Sequence, residues 1–220
     1  MKKVIIFGTG DFAKVVYFYL TKDSPNKVVA FTANGSAIKE KELFGLPVLP
    51  FENIETNYSP DEYIMFIAVP YTNLNKTRAE IFNQAKSKGY HLLSYVNSKA
   101  ITWEDLDIGE NCFILEGNVI QPFVKIGNNV ILWSGNHVGH HSIIGDHCFI
   151  ASHVVISGKV TIGSYCFLGV NSTIRDGVNI AKECVIGAGA VILEDTHEKE
   201  VYKTDSTKLL SIKSDILKHL

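Results

Sequence analysis

Five of the eight histidines in this 220-residue chain fall close together, at His137, His140, His141, His147 and His153. An imidazole can ligate a metal or move a proton to and from a reacting group, provided its neighbours in space are placed for it. Four cysteines, Cys112, Cys148, Cys166 and Cys184, offer a nucleophile, a metal ligand or disulfide partners. Which of these chemistries is open depends on what the residues between them fold into.

Stepping six residues at a time from Ile108 to Ile192 gives fifteen consecutive aliphatic residues. A helix at 3.6 residues per turn or a strand at period 2 would not select every sixth position, so the period belongs to a repeat. With the aliphatic residue as position one of six, position two is glycine at Gly109, Gly127, Gly139, Gly145, Gly163, Gly169 and Gly187, which suits a tight corner. Position five is small throughout, from Cys112 to Ala190. One large and one small inward residue per hexad make flat faces joined by corners. Three faces close an 18-residue coil, and about five coils stack into a solenoid, each large aliphatic contributing about 1.5 to 3 kcal/mol on burial before ordering entropy is subtracted.

The repeat then sorts the reactive residues. All four cysteines occupy position five at multiples of 18, so they stack on one corner and point inward as small apolar groups; catalytic and metal-binding roles are the alternatives. His141, His147 and His153 occupy position four on three different corners of a coil, which keeps them from sharing an ion within one chain. No metal is expected. His147 and His153 read as solvated face residues, and Asn118 and Asn136, 18 apart, as a stacked hydrogen-bonding ladder. Adding 18 to His140 reaches Gly158 and subtracting 18 reaches Pro122, so a residue without a side chain lies one coil along from that imidazole.

Ahead of the repeat, strands alternate with helices. Residues 4–7 read as a buried strand, Gly8, Thr9 and Gly10 as a turn, and Phe12, Val15, Val16 and Tyr19 as one face of a helix. Strands follow at 28–31, 48–49, 63–69 and 92–96, with a helix bearing Leu74, Arg78, Ile81, Phe82 and Ala85 before Gly89. That alternation indicates a small Rossmann-like parallel α/β domain over residues 1–100. Its first turn matches G-x-G-x-x-A from Gly8 to Ala13, which lets backbone N–H groups approach a phosphate. A dinucleotide site would place an acid at the end of the second strand, where Thr32, Ala33 and Asn34 stand instead, so another nucleotide or a purely structural turn is expected. Asp11 counts against close pyrophosphate contact. After Leu193 the chain is charged, and residues 208–220 read as a short amphipathic helix, either a cap on the open end of the solenoid or a flap over an acyl donor.

A formal charge of −2 and a pI near 6.4 provide no basic face for nucleic acid or anionic lipid, and neither partner is expected. Only residues 4–7 are apolar after Met1, Lys2 and Lys3, and no 18-residue apolar span occurs, so no signal peptide or membrane span is read and a cytoplasmic location is expected.

The fifteen hexads resemble those of left-handed parallel β-helix acyltransferases. The stretch Val138, Gly139, His140, His141, Ser142, Ile143, Ile144, Gly145, Asp146 is similar to the active-site coil of bacterial sugar acetyltransferases related to sialic acid O-acetyltransferase and to the N-acetyltransferases of bacillosamine and perosamine synthesis. These relatives also carry a small α/β domain with a glycine-rich first turn. The resemblance implies a left-handed β-helix over residues 101–195, a capping segment over 196–220 and a homotrimer with sites between adjacent β-helices. It also implies acetyl-CoA as co-substrate, touched through Gly158, Val170 and Ala188, and His140 as the catalytic base. The nucleotide-linked amino sugar would meet Gly8, Thr9, Gly10, Thr32, Asn34, His137 and His141. Where the relatives place Asp or Glu after the base, this chain has His141, so another residue, one from a neighbouring subunit included, or a backbone carbonyl must orient His140. The expected activity is N-acetylation of that amine by direct attack; sugar O-acetylation and a non-catalytic trimeric scaffold or binding module are the alternatives.

Overall fold

The computed structural model describes residues 1–216. In the N-terminal domain, β1 (Lys3–Phe7), α1 (Asp11–Lys22), β2 (Lys27–Ala33), β3 (Glu42–Leu43), β4 (Leu46–Pro50), β5 (Tyr63–Ile67) and α2 (Lys76–Ser87) build a sheet of order β3-β4-β2-β1-β5. The sheet is parallel except for the β3–β4 hairpin, an element with no clear period in the sequence. Its central strands are buried on both faces, as their unbroken apolar runs require.

α1 has two buried surfaces. Ala13, Val16 and Leu20 pack on the sheet, while Phe12 and Tyr19 turn to the β-helix, each 5.8 Å edge-on to Phe113. Two of the four residues of the stripe read from the sequence, Phe12 and Tyr19, therefore face the other domain. The strand expected at 92–96 is also interdomain in part: Leu92 bridges to Met65 of β5, while β6 (Tyr95–Val96) pairs with Phe113–Ile114 of the first coil.

From there the chain forms the left-handed parallel β-helix. Two-residue strands recur every six residues and pair with partners 18 residues on, giving three sheets of five, seven and five strands. Positions one and five line the interior, where the aliphatics and all four cysteines are buried. The left-handed backbone conformation falls at position four, at residues such as Asn129, His141 and His147. The glycine at position two has a different cause: a Cβ on Gly163 would lie 2.6 Å from the amide nitrogen of Lys182 in the next coil, so these glycines permit coil-to-coil contact. The pairing runs on to Val201–Tyr202.

One corner of the coil carries the N-terminal domain. Arg78 of α2 is fully buried and donates to the Asn75 and Asn129 side-chain oxygens and to the carbonyls of Pro70, Asn129, His147 and Cys148. His147, expected at the solvated surface, is buried there: its Nδ1 accepts from Asn129 Nδ2 at 2.9 Å and Phe82 of α2 packs edge-on to its ring. Docking of α2 covers a position that the repeat alone leaves open.

The helix expected over 208–220 is not formed in its described part. Residues 203–213 are irregular, a single turn occupies Ser214–Ile216, and Leu209, Leu210, Ile212 and Ile216 are exposed. An isolated stripe this short has no packing surface to offset the cost of helix nucleation. The remainder, residues 217–220, lies outside the described residues.

Candidate active site

His140 occupies position three of its hexad, on a corner whose backbone is fixed on both sides. Its amide donates to Gln121 Oε1 at 2.8 Å, and its carbonyl accepts from Lys159 N at 2.8 Å. The side chain is exposed and lies over Gly158. A Cβ on Gly158 would sit 2.9 Å from His140 Cε1 and 3.0 Å from Nε2, so the imidazole fills the space that a side chain there would need. The same point is 3.1 Å from Asp176 Oδ1, one coil further along. Pro122, His140, Gly158 and Asp176 form one column, and His140 Nε2 and Asp176 Oδ1 both approach the same point above the glycine.

The other ring nitrogen is engaged. His140 Nδ1 lies 3.1 Å from His141 Nδ1, with the rings nearly perpendicular. His141 has φ +60°, which swings its ring back towards His140 and onto Phe123, 4.7 Å between centroids. One Nδ1 must donate and the other accept; if His140 carries the Nδ1 proton, its Nε2 lone pair is the group presented over Gly158.

The remaining β-helix candidates are close but not convergent. His137 is half-buried and points outward from the face of paired strands between Val119 and Val155. Gly158 stands at one edge of that face, and Val170 and Ala188 at the other, both exposed. The Ala188 carbonyl already accepts from Thr204 Oγ1 at 2.9 Å. The three residues named for the acyl donor thus flank one face.

In the N-terminal domain, Thr9 and Gly10 line a cavity of about 310 Å³ together with Lys14, Lys39, Glu40 and Glu42. Gly10 is open, with nothing within 4 Å of a Cβ placed on it. Gly8 is structural: φ is +121° and a Cβ would meet Ala68 O at 2.7 Å. Thr32 is fully buried and its hydroxyl donates to Leu49 O, which places it in the sheet's hydrogen bonding. Asn34 is exposed and is not among the residues lining the cavity. Lys14 pairs with Asp11 at 3.1 Å, so the acid beside the turn has its counter-charge within the same helical turn.

The cysteine thiols donate to backbone carbonyls, Cys112 to Gly127 O and Cys148 to Gly163 O, and burial pushes the Cys112 thiol up to about 12. A thiol held protonated is a poor nucleophile. Asn118 and Asn136 bond to the backbone of their own and adjacent coils rather than to each other. Among the described residues no group of three or more His, Cys, Asp or Glu is placed to hold a metal ion, and no helix is long and apolar enough to cross a membrane. Column arithmetic carried two coils from His140 reaches Asp176; Gln121 has no such signal, because it lies off the column.

Residues 3–85 match the PglD N-terminal domain, 106–140 and 124–158 the bacterial transferase hexapeptide, and 159–194 the hexapeptide repeat of succinyl-transferase. No curated protein matches the chain by sequence. The fold is shared with the acetyltransferase domain of PglB from Neisseria gonorrhoeae FA1090 in complex with acetyl coenzyme A, at TM-score 0.77 and 22% identity over 91% of this chain and 95% of that one. It is shared equally with PerB from Caulobacter crescentus in complex with CoA and GDP-perosamine, at TM-score 0.76 and 24% identity over 92% of both chains. WeeI from Acinetobacter baumannii AYE follows at TM-score 0.65 and 18% identity, covering 87% of this chain and 96% of that one.

Proposed function

We propose that this chain, which carries a PglD-type N-terminal domain and bacterial transferase hexapeptide repeats, is an acetyl-CoA-dependent N-acetyltransferase of a nucleotide-linked amino sugar. The observation that carries the reading is the His140 imidazole, backed by His141 at Nδ1 and lying over the bare Gly158 backbone. Support comes also from similar folds solved with acetyl coenzyme A and with CoA and GDP-perosamine.

The geometry suits direct transfer. The sugar amine's nitrogen attacks the thioester carbonyl, His140 Nε2 takes a proton from that nitrogen, and the C–S bond breaks to release CoA, which recovers a proton as the thiol. Backbone N–H groups around Gly158 would hold the developing oxyanion, a contribution of about 2.7 to 4 kcal/mol in other acyl-transfer sites. The buried thiols leave no cysteine for an acyl-enzyme. In this reading the acyl donor runs along the face between Gly158 and Val170, the nucleotide occupies the cavity at Thr9 and Gly10, and the protein works as a cytoplasmic homotrimer, with a neighbouring subunit completing each site.

A screen of UDP-, dTDP- and GDP-linked amino sugars with acetyl-CoA, following free thiol release, tests the proposal. Thiol release with one of them, and a product that survives mild base, is expected. A base-labile ester would replace the reading with O-acetylation, and failure to bind acetyl-CoA in calorimetry would replace it with a scaffold.

A further inference from the structure

We infer that Asp176 belongs to the acceptor site and selects an amine over a hydroxyl; this rests on the N-acetyltransferase reading. Asp176 is exposed, on the same corner column as His140, and its Oδ1 and His140 Nε2 are 3.1 and 3.0 Å from one point above Gly158. Among the described residues the two side chains make no hydrogen bond to each other, so both polar atoms remain available to a third group. On another corner the equivalent acid is used differently. Asp146 Oδ1 closes onto the amide of Asn128, 18 residues earlier, at 2.6 Å. Asp176 stands in that relation to Gly158 but makes no such bond among the described residues, which leaves its carboxylate unengaged at an exposed corner.

Two acceptors facing one gap require a donor with at least two hydrogens. A nitrogen making two hydrogen bonds of about 2.9 Å bridges acceptors up to about 5 to 6 Å apart. A primary amine can give one N–H to His140 Nε2 and the other to Asp176 while its lone pair stays on the carbonyl side. A hydroxyl has one hydrogen; satisfying the base leaves the carboxylate facing an oxygen lone pair, and that unpaired or repulsive contact is a large source of discrimination. If the amine arrives protonated, the carboxylate also favours it by charge and retains it after His140 has taken the first proton.

The test compares wild type, Asp176→Asn and Asp176→Ala on the best amino sugar of the nucleotide-sugar panel, with the Ki of its hydroxyl counterpart as a competitive inhibitor. Acetyl-CoA affinity and melting temperature are measured alongside. For Asp176→Ala, kcat/KM for the amine should fall at least tenfold while the hydroxyl Ki stays or improves; Asp176→Asn, which keeps one acceptor, should fall less. Acetyl-CoA affinity and melting temperature should hold. Equal losses for amine and hydroxyl, unchanged kinetics, or a loss confined to acetyl-CoA affinity would each overturn the assignment. A wild type that acetylates no nucleotide-linked amine would remove the underlying reading as well, whereas normal N-acetylation by the variants removes this inference alone.

Discussion

The Nδ1 atoms of His140 and His141 lie 3.1 Å apart, so the two rings hold one proton between them and cannot both carry one there without separating. An imidazole, which offers no negative charge, occupies the place where the resemblance implies a carboxylate. It can fix the tautomer and orientation of His140, but it cannot stabilise an imidazolium as an anion would. The expected consequence is a base with the right geometry and less electrostatic support.

Substitution at the pair should separate those contributions. His140→Ala should lower turnover at least about a hundredfold with the fold intact by circular dichroism. His141→Ala should cost less, about tenfold, and His141→Glu should match or exceed wild type, because a carboxylate on Nδ1 restores the anion. Steady-state kinetics on the same amino sugar would sink the pairing if His141→Ala were silent.

His147 supplies a pH dependence that is independent of catalysis. Burial lowers its pKa below the ordinary 6.5, and its Nδ1 accepts from Asn129, which needs the neutral ring. Above 6.5 neither folded nor unfolded state binds the proton. As pH falls below 6.5 the unfolded state takes it up first, so stability is lost, at up to about 1.4 kcal/mol per pH unit, until the folded pKa is reached. Urea midpoints from pH 7.5 to 5 should therefore fall, and His147→Gln should flatten that slope; an unchanged slope would place the proton elsewhere.

The period of six was legible because every coil presents the same environment, so fifteen independent residues report one rule. The same rule retired the four cysteines and put Gly158 beside His140. What it could not carry is docking. His147 and His153 are equivalent in the repeat, yet α2 covers only His147, and Phe12 and Tyr19 of α1 face the β-helix rather than the sheet. Thr32 is the last residue but one of β2, near where a ribose contact is expected, but its hydroxyl is taken by Leu49 of the neighbouring β4. Residues 208–216 show the opposite error: a helical period without a surface to bury against.

Arg78 tests that docking. It is fully buried with no carboxylate among its partners in the described residues, and burial lowers the guanidinium to about 10, still charged at neutral pH. Its charge is spread over oxygens of Pro70 and Asn75, just ahead of α2, and of the coils at Asn129 and His147. Arg78→Met should destabilise by about 3 kcal/mol or more, because several buried acceptors lose their donor. Arg78→Lys should rescue little, since one ammonium cannot span the fork. Denaturation followed by circular dichroism and by tryptophan fluorescence should lose its coincidence in Arg78→Met; a single wild-type-like transition would show that apolar contacts alone hold the domains.

Two glycines in adjacent coils separate a structural from a functional requirement. A Cβ on Gly139 would meet the backbone of the next coil, 2.5 Å from Gly158 N and from Ser157 C, and neither can retreat without opening the strand pairing. Gly139→Ala should therefore destabilise the β-helix by about 1 to 3 kcal/mol and lower activity only through loss of folded protein. A Cβ on Gly158 meets instead the ends of two exposed side chains, His140 at 2.9 Å and Asp176 at 3.1 Å, which can rotate away. Gly158→Ala should keep its melting temperature and lose acetyl transfer, since the methyl group occupies the space above which base, amine and thioester are proposed to meet. Melting curves and thiol-release assays on the two variants should give opposite patterns. If Gly158→Ala were fully active, the column above Gly158 would not be where the acyl group is transferred.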